Sequence, residues 1–107
     1  MLHWSDRHRR SERRSLALHL AVARKLKENP SLWSVPLANI ERWTEKRGSM
    51  PVPYLVWKEL LETMSHEDIT KLLLSKSQRA TLLRSSTPFT GILDQEERDR
   101  IFQRFRE

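Results

Sequence analysis

Between Arg10 and Asn29 the apolar residues recur as Leu16, Leu20, Ala23 and Leu26, with Leu18 and Val22 widening the stripe. That is the repeat of a helix with one buried side. It commits a fifth of a short chain to a helix whose apolar side needs covering. The spacing predicts a first helix that ends at Glu28 and starts at about Arg10 or earlier. Asn29-Pro30 ends it, because a residue before proline disfavours the helical region. The chain holds only two glycines among its 107 residues and no β-branched run. Partners for that helix are therefore expected to be other helices, joined with few tight turns.

They can be read in order. WSVPLANIERWTEKR predicts a second helix, with Ser34 as its cap and Pro36 tolerated in the first turn. Leu37, Ile40 and Trp43-Thr44 form its buried side, and Gly48 stops it. A third helix runs from about Pro53 to Met64, with Tyr54, Trp57, Leu61 and Met64 on one face. Ser65 caps a fourth, whose core residues are Ile69, Leu72 and Leu73. A fifth runs from Ser77 to about Arg84 and offers Ala80, Leu82 and Leu83. SSTPFTGIL, residues 85–93, is an apolar connector. Asp94 then opens a sixth helix with Glu97 three positions on, and Ile101, Phe102 and Phe105 supply its apolar side. The expected fold is all-α, a compact bundle of five or six short helices. A basic extension over residues 1–11, which buries little apolar surface and whose order in isolation the sequence leaves open, precedes a single helical domain over 12–107.

Charge is concentrated at one end. Residues 1–28 hold eight Lys/Arg against three Asp/Glu, while residues 29–107 hold twelve against eleven. RHRRSERRS places five arginines within residues 7–14. With a continuous helix, Arg7, Arg10, Arg14, Arg24 and Lys25 fall opposite the apolar stripe. The absence of cysteine excludes disulfides and thiolate metal sites and points to a reducing cytoplasm. Residues 16–23 resemble a signal-peptide core, but His19 interrupts them and Arg24-Lys25 follow where cleavage is expected. No stretch approaches a membrane span.

Three pieces of the chain resemble one family: ERRSLALHLAVARKLKENP, NIERW…YLVWKELLE and SQRATLLRSSTPFTGILDQEERDRIF. Arg13 to His19, Trp43, Tyr54, Trp57, Leu83 to Ser86, Pro88-Phe89, Gly91, Leu93 and Glu96 to Arg98 carry the likeness. It is to the helical domain that follows the helix-turn-helix module of certain bacterial Xre-type regulators and antitoxins. The resemblance spans most of residues 12–102, and the closing segment is its most specific part. Eleven residues ahead of Glu12 are too few for a helix-turn-helix. Recognition of an operator is therefore not carried over. That module is missing, encoded elsewhere or replaced by the basic segment. The resemblance implies the part of an antitoxin that engages a protein, typically a toxin encoded alongside it.

Several features need weighing against plainer roles. The arginines can be a solvated helix end, a clamp for an acidic protein surface or a sequence-independent phosphate clamp. His3, His8, His19 and His66 do not share metal-ligand spacing, and His19 reads as a satisfied residue among leucines. Glu41 and Glu45, or Glu59 and Glu62, read as solvated faces beside Arg42, Lys46 and Lys58 rather than acid–base pairs. No nucleophile motif or phosphate-cradling loop is present, so an enzyme is not expected and no cofactor or metal is implied. Trp43 and Trp57 read as core, and Trp33 as a staple ahead of the second helix. Phe89 and Ile92 either fold back over the chain's own core or dock into a partner.

The reading that follows is a cytoplasmic, non-enzymatic interaction protein. It is expected to act as an antitoxin-like or regulatory subunit that binds and masks a protein partner, such as a cognate toxin. Arg9, Arg10, Arg13, Arg14, Phe89 and Ile92 are the candidate partner-binding or phosphate-binding residues. The alternative is a DNA- or RNA-binding protein that uses the basic N-terminal helix.

Overall fold

In the computed structural model of the chain, residues 4–106 are described, with side chains from residue 7 onward. His3 and the side chain of Trp4 lie outside the described residues. The first helix, α1, runs from Trp4 to Glu28 and so begins well ahead of Arg10. Its segment 4–14 is rich in good helix formers and adds turns to a packed helix, which is far easier than nucleating a new one. Residues 4–11 thus continue α1 instead of forming a separate tail. At 1.5 Å per residue α1 is about 37 Å long, against a longest molecular dimension of 42 Å.

The other helices pack along it. A 3-10 turn over Pro30–Ser34 leads into α2 (Val35–Arg47). Then come α3 (Val52–Thr63), α4 (His66–Leu74), α5 (Gln78–Ser85) and α6 (Gln95–Arg104). α1 touches the 3-10 turn, α4, α5 and α6, while α2 packs on α3. Six α-helices and no strand are found among the described residues, the all-α bundle expected from the sequence.

The helix boundaries have local causes. Ser65 and Ser77 cap α4 and α5 by accepting from the backbone N–H of Asp68 and Ala80. Asp94 and Glu97 form a reciprocal capping box on α6. Glu97 also accepts from Lys25 Nζ at 2.5 Å, which ties α6 to α1. That bond is the main reason the Glu97 carboxyl lies below its ordinary range. Ser34 does not cap α2. It is itself in helical conformation, and its hydroxyl donates to the Ser31 carbonyl. Gly48 ends α2 at φ +84°, a conformation that only glycine adopts without strain.

The core is centred on Trp57, Leu26, Ile40, Ile69 and Leu73, each at most 1% exposed. Trp57 packs edge-on against Phe89 at 5.6 Å and donates its indole N–H to the Leu83 carbonyl at 2.9 Å. The connector after α5 folds back over this centre. Phe89, Ile92 and Leu93 are buried in the same cluster. Buried Asn39 holds the connector down, since its amide donates to the carbonyls of Pro88 and Thr90, both at 2.8 Å. Its own Oδ1 accepts from Arg42. Gly91, at φ +91°, makes the turn that returns the chain to the core.

Three packing expectations need correction. On α1 the buried side is centred on His19, Val22 and Leu26, whereas Leu20 is 40% exposed. Leu82 on α5 is 64% exposed. Trp43 is only half-buried and leans on Tyr54 at the edge of the bundle, at 5.2 Å. In each case periodicity located an apolar residue without saying which neighbour would cover it.

Candidate interaction surface along the first helix

Successive residues of an α-helix are turned by about 100°. Arg7, Arg10 and Arg14 therefore share one side of α1, and Arg9 and Arg13 lie on another. The arginines straddle the helix instead of forming one polar face. Arg14 is drawn toward the body, where its guanidinium lies 4.7 Å from the centre of the Phe102 ring. Arg98 approaches the same ring at 5.9 Å. A cation over an aromatic face contributes about 0.5–1 kcal/mol at such exposed sites. Arg10 is half-buried, while Arg9 and Arg13 are exposed.

The flank bearing Arg9 and Arg13 continues down α1 through Leu16, Leu20, Arg24 and Lys27. Two depressions lie along it. The larger, about 580 Å³, lies between α1 and α4. Leu20, Ala23, Trp33 and Leu74 give it an apolar lining, and Arg24 and Lys27 give it a basic edge. Lys71 and Glu67 stand on its other side as an exposed pair at 3.4 Å. Trp33 reaches across to α4 and stacks on the His66 ring at 4.0 Å with the planes nearly parallel. Trp33 thus fastens the 3-10 turn to α4 rather than stapling α2. His66 is thereby held against the Trp33 ring.

The smaller depression, about 200 Å³, lies where α1 passes the α4–α5 connector and α5. Glu12, Arg13, Leu16, Lys76, Thr81 and Arg84 line it. Arg84, on α5, is 5% exposed. Its Nη1 donates to the carbonyls of Leu73 at 2.9 Å and Ser75 at 2.6 Å, closing the end of α4. Its Nη2 makes a long bond of 3.3 Å to the Thr81 hydroxyl, and its Nε has no partner. Burial pushes the guanidinium below its ordinary range, and nearby Glu12 acts in the opposite direction.

His19 is the other buried polar group on this helix. Its Nδ1 lies 2.7 Å from the Ser15 carbonyl, which can only accept, so Nδ1 carries the proton. Nε2 then accepts from the Thr87 hydroxyl at 2.9 Å. The Thr87 oxygen in turn accepts the Phe89 N–H at 3.2 Å. The chain of bonds fastens α1 to the connector. Burial lowers the His19 pKa, the Ser15 bond opposes the shift, and the Arg84 charge adds to it.

Of the six candidate site residues, the structure keeps four on a surface. Arg9, Arg10, Arg13 and Arg14 are spread around α1. Phe89 and Ile92 are 3% and 5% exposed, so they belong to the chain's own core and do not present a docking surface. A side chain packed edge-on against Trp57 cannot also enter a partner without opening the core. Glu41, Glu45, Glu59 and Glu62 are exposed on helix faces. No cluster that could hold a metal ion occurs among the described residues. No helix among them is long and apolar enough to cross a membrane.

No family model, curated protein or solved structure matches the chain.

Sequence reasoning missed Arg84, Asn39 and the α1–α4 groove. The two polar residues carried a faint signal. Arg84 follows Leu82 and Leu83 on a short helix, and Asn39 lies beside Ile40, places where a polar side chain must find internal partners.

Proposed function

We propose that the chain is a non-enzymatic interaction protein. It acts as an antitoxin-like or regulatory subunit of a bacterial toxin–antitoxin type module, and binds and masks a protein partner. The observation that supports this most is the mixed character of the α1 flank. Exposed Arg9, Arg13, Arg24 and Lys27 accompany exposed Leu20 above an apolar groove. Arginine and aromatic side chains around an apolar centre are the composition of protein interfaces. A phosphate clamp draws on positive charge alone and makes no use of an apolar groove beside it. The fitting partner element is an acidic amphipathic helix. Its apolar residues would cover Leu20 and Trp33, and its carboxylates would meet Arg24 and Lys27. The likeness of residues 12–102 to the partner-binding domain of Xre-type antitoxins points the same way.

The test is affinity purification of the tagged chain from its host, with half of each sample treated with nuclease and washes at low and high salt. Wild type is compared with Leu20→Asp, Arg24→Glu and, as a control on a remote exposed apolar residue, Leu55→Asp. A stoichiometric protein that survives nuclease, is kept by Leu55→Asp and is lost by the two α1 variants supports the proposal. Recovery of nucleic acid alone, released by salt, overturns it in favour of sequence-independent DNA or RNA binding.

A further inference from the structure

The depression between α1 and α5 has a feature that solvated surface arginines lack. Arg84 is more than nine-tenths buried, yet no carboxylate hydrogen-bonds to it. Its two Nη1 protons are used by backbone carbonyls. What remains is the side-on edge of the guanidinium, formed by Nε–H and the neighbouring Nη2–H. Nε–H is unpartnered, and Nη2 has only the long contact to Thr81. Two parallel N–H groups on a planar edge match the two oxygens of a carboxylate or phosphate. A buried donor without a partner is destabilising. An incoming acceptor would remove that cost.

The surroundings favour the same ligand chemistry. Arg13 from α1 and Lys76 from the α4–α5 connector line the same depression, so three cations face the single carboxylate of Glu12. The Thr81 hydroxyl, which already donates to the Ser77 carbonyl, leaves only acceptor capacity there. An anion therefore finds its donors in the three cationic side chains. We propose that this depression is an oxyanion site: Arg13 and Lys76 hold a carboxylate or phosphate at its mouth, and the side-on edge of Arg84, which solvent does not reach, receives it as the surrounding side chains part. Glu12 competes for the same cations and sets the affinity. The site is separate from the α1–α4 groove and does not depend on any reading of that groove.

The test is a titration of the full ¹⁵N-labelled chain with inorganic phosphate, sodium acetate and sodium chloride at constant ionic strength. The Arg84 Nε–Hε resonance is followed. A saturable shift with phosphate, absent with chloride, is the expected result. A matching response to acetate extends the site to carboxylates, as from an acidic side chain. A response to phosphate alone restricts it to phosphate groups. Arg13→Glu and Lys76→Glu are exposed positions and should leave the phosphate-free melting curve intact while weakening phosphate about tenfold or more each. Glu12→Gln should tighten it. Because Arg84→Lys also disturbs the closure of α4, it serves only to assign the resonance. No saturable shift with either oxyanion, or wild-type titration by Arg13→Glu and Lys76→Glu, overturns the proposal.

Discussion

Replacing Asn39 by Ala tests how the apolar connector is held on the core. The Asn39 amide donates to two carbonyls, those of Pro88 and Thr90, and its oxygen accepts from Arg42. Pro88 is itself fully buried, so water cannot replace the donor lost at its carbonyl. Leaving one buried carbonyl unpaired costs about 1–3 kcal/mol. Thr90 is exposed, and its carbonyl can turn to solvent, so that loss is nearer the net value of about 1 kcal/mol for an ordinary hydrogen bond. The sum is about 2–4 kcal/mol, a large share of the roughly 5–15 kcal/mol available to a domain. Urea denaturation followed by far-UV circular dichroism should show a lower midpoint with an unchanged slope. Thermal melting should fall by roughly 10–25 °C. Asn39→Asp should be at least as damaging, because a carboxylate would face two carbonyls. A loss below about 1 kcal/mol in Asn39→Ala would show that the connector is held by Phe89 and Ile92 alone.

Two further outcomes follow from the same part of the fold. His19 is held neutral, with its pKa below the ordinary value, so the unfolded chain binds the proton first as pH falls. Stability should be full above about pH 6.5 and decline below it at no more than about 1.4 kcal/mol per pH unit, from this group, until the folded-state pKa is passed. His19→Gln should remove that component, and equal pH slopes for the two proteins would refute the assignment. Gly91→Ala meets no atom within 4 Å, but it forces a side chain into φ +91°. A loss of about 1–2 kcal/mol in chemical denaturation is expected, and a gain in stability would show that the turn relaxes.

The helices were legible because their signals are local. Ser65, Ser77 and Asp94 with Glu97 cap helices through bonds that span three residues. Asn29-Pro30 and Gly48 end helices through backbone sterics that any context preserves. The start of α1 at Trp4 is not fixed by local signals, because a run of arginines resembles a solvated tail until its continuity with a packed helix is seen. Ser34 misled for the opposite reason: a good capping residue is only a cap if its backbone is extended, and the 3-10 turn makes it helical.

By itself, the sequence determined that this chain is an all-α bundle, where most of its helices begin and end, and that its charge gathers at the N-terminal helix. Those properties depend on residue types at short spacing. Only the tertiary structure decided which apolar residues are covered. It buried Phe89 and Ile92 and left Leu20 and Leu82 in solvent. It also brought Asn39 to Pro88, His19 to Thr87, and Arg84 to the end of α4 across gaps that no periodicity reveals. Burial and polar pairing depend on which helices meet, and that is settled by packing the whole chain at once.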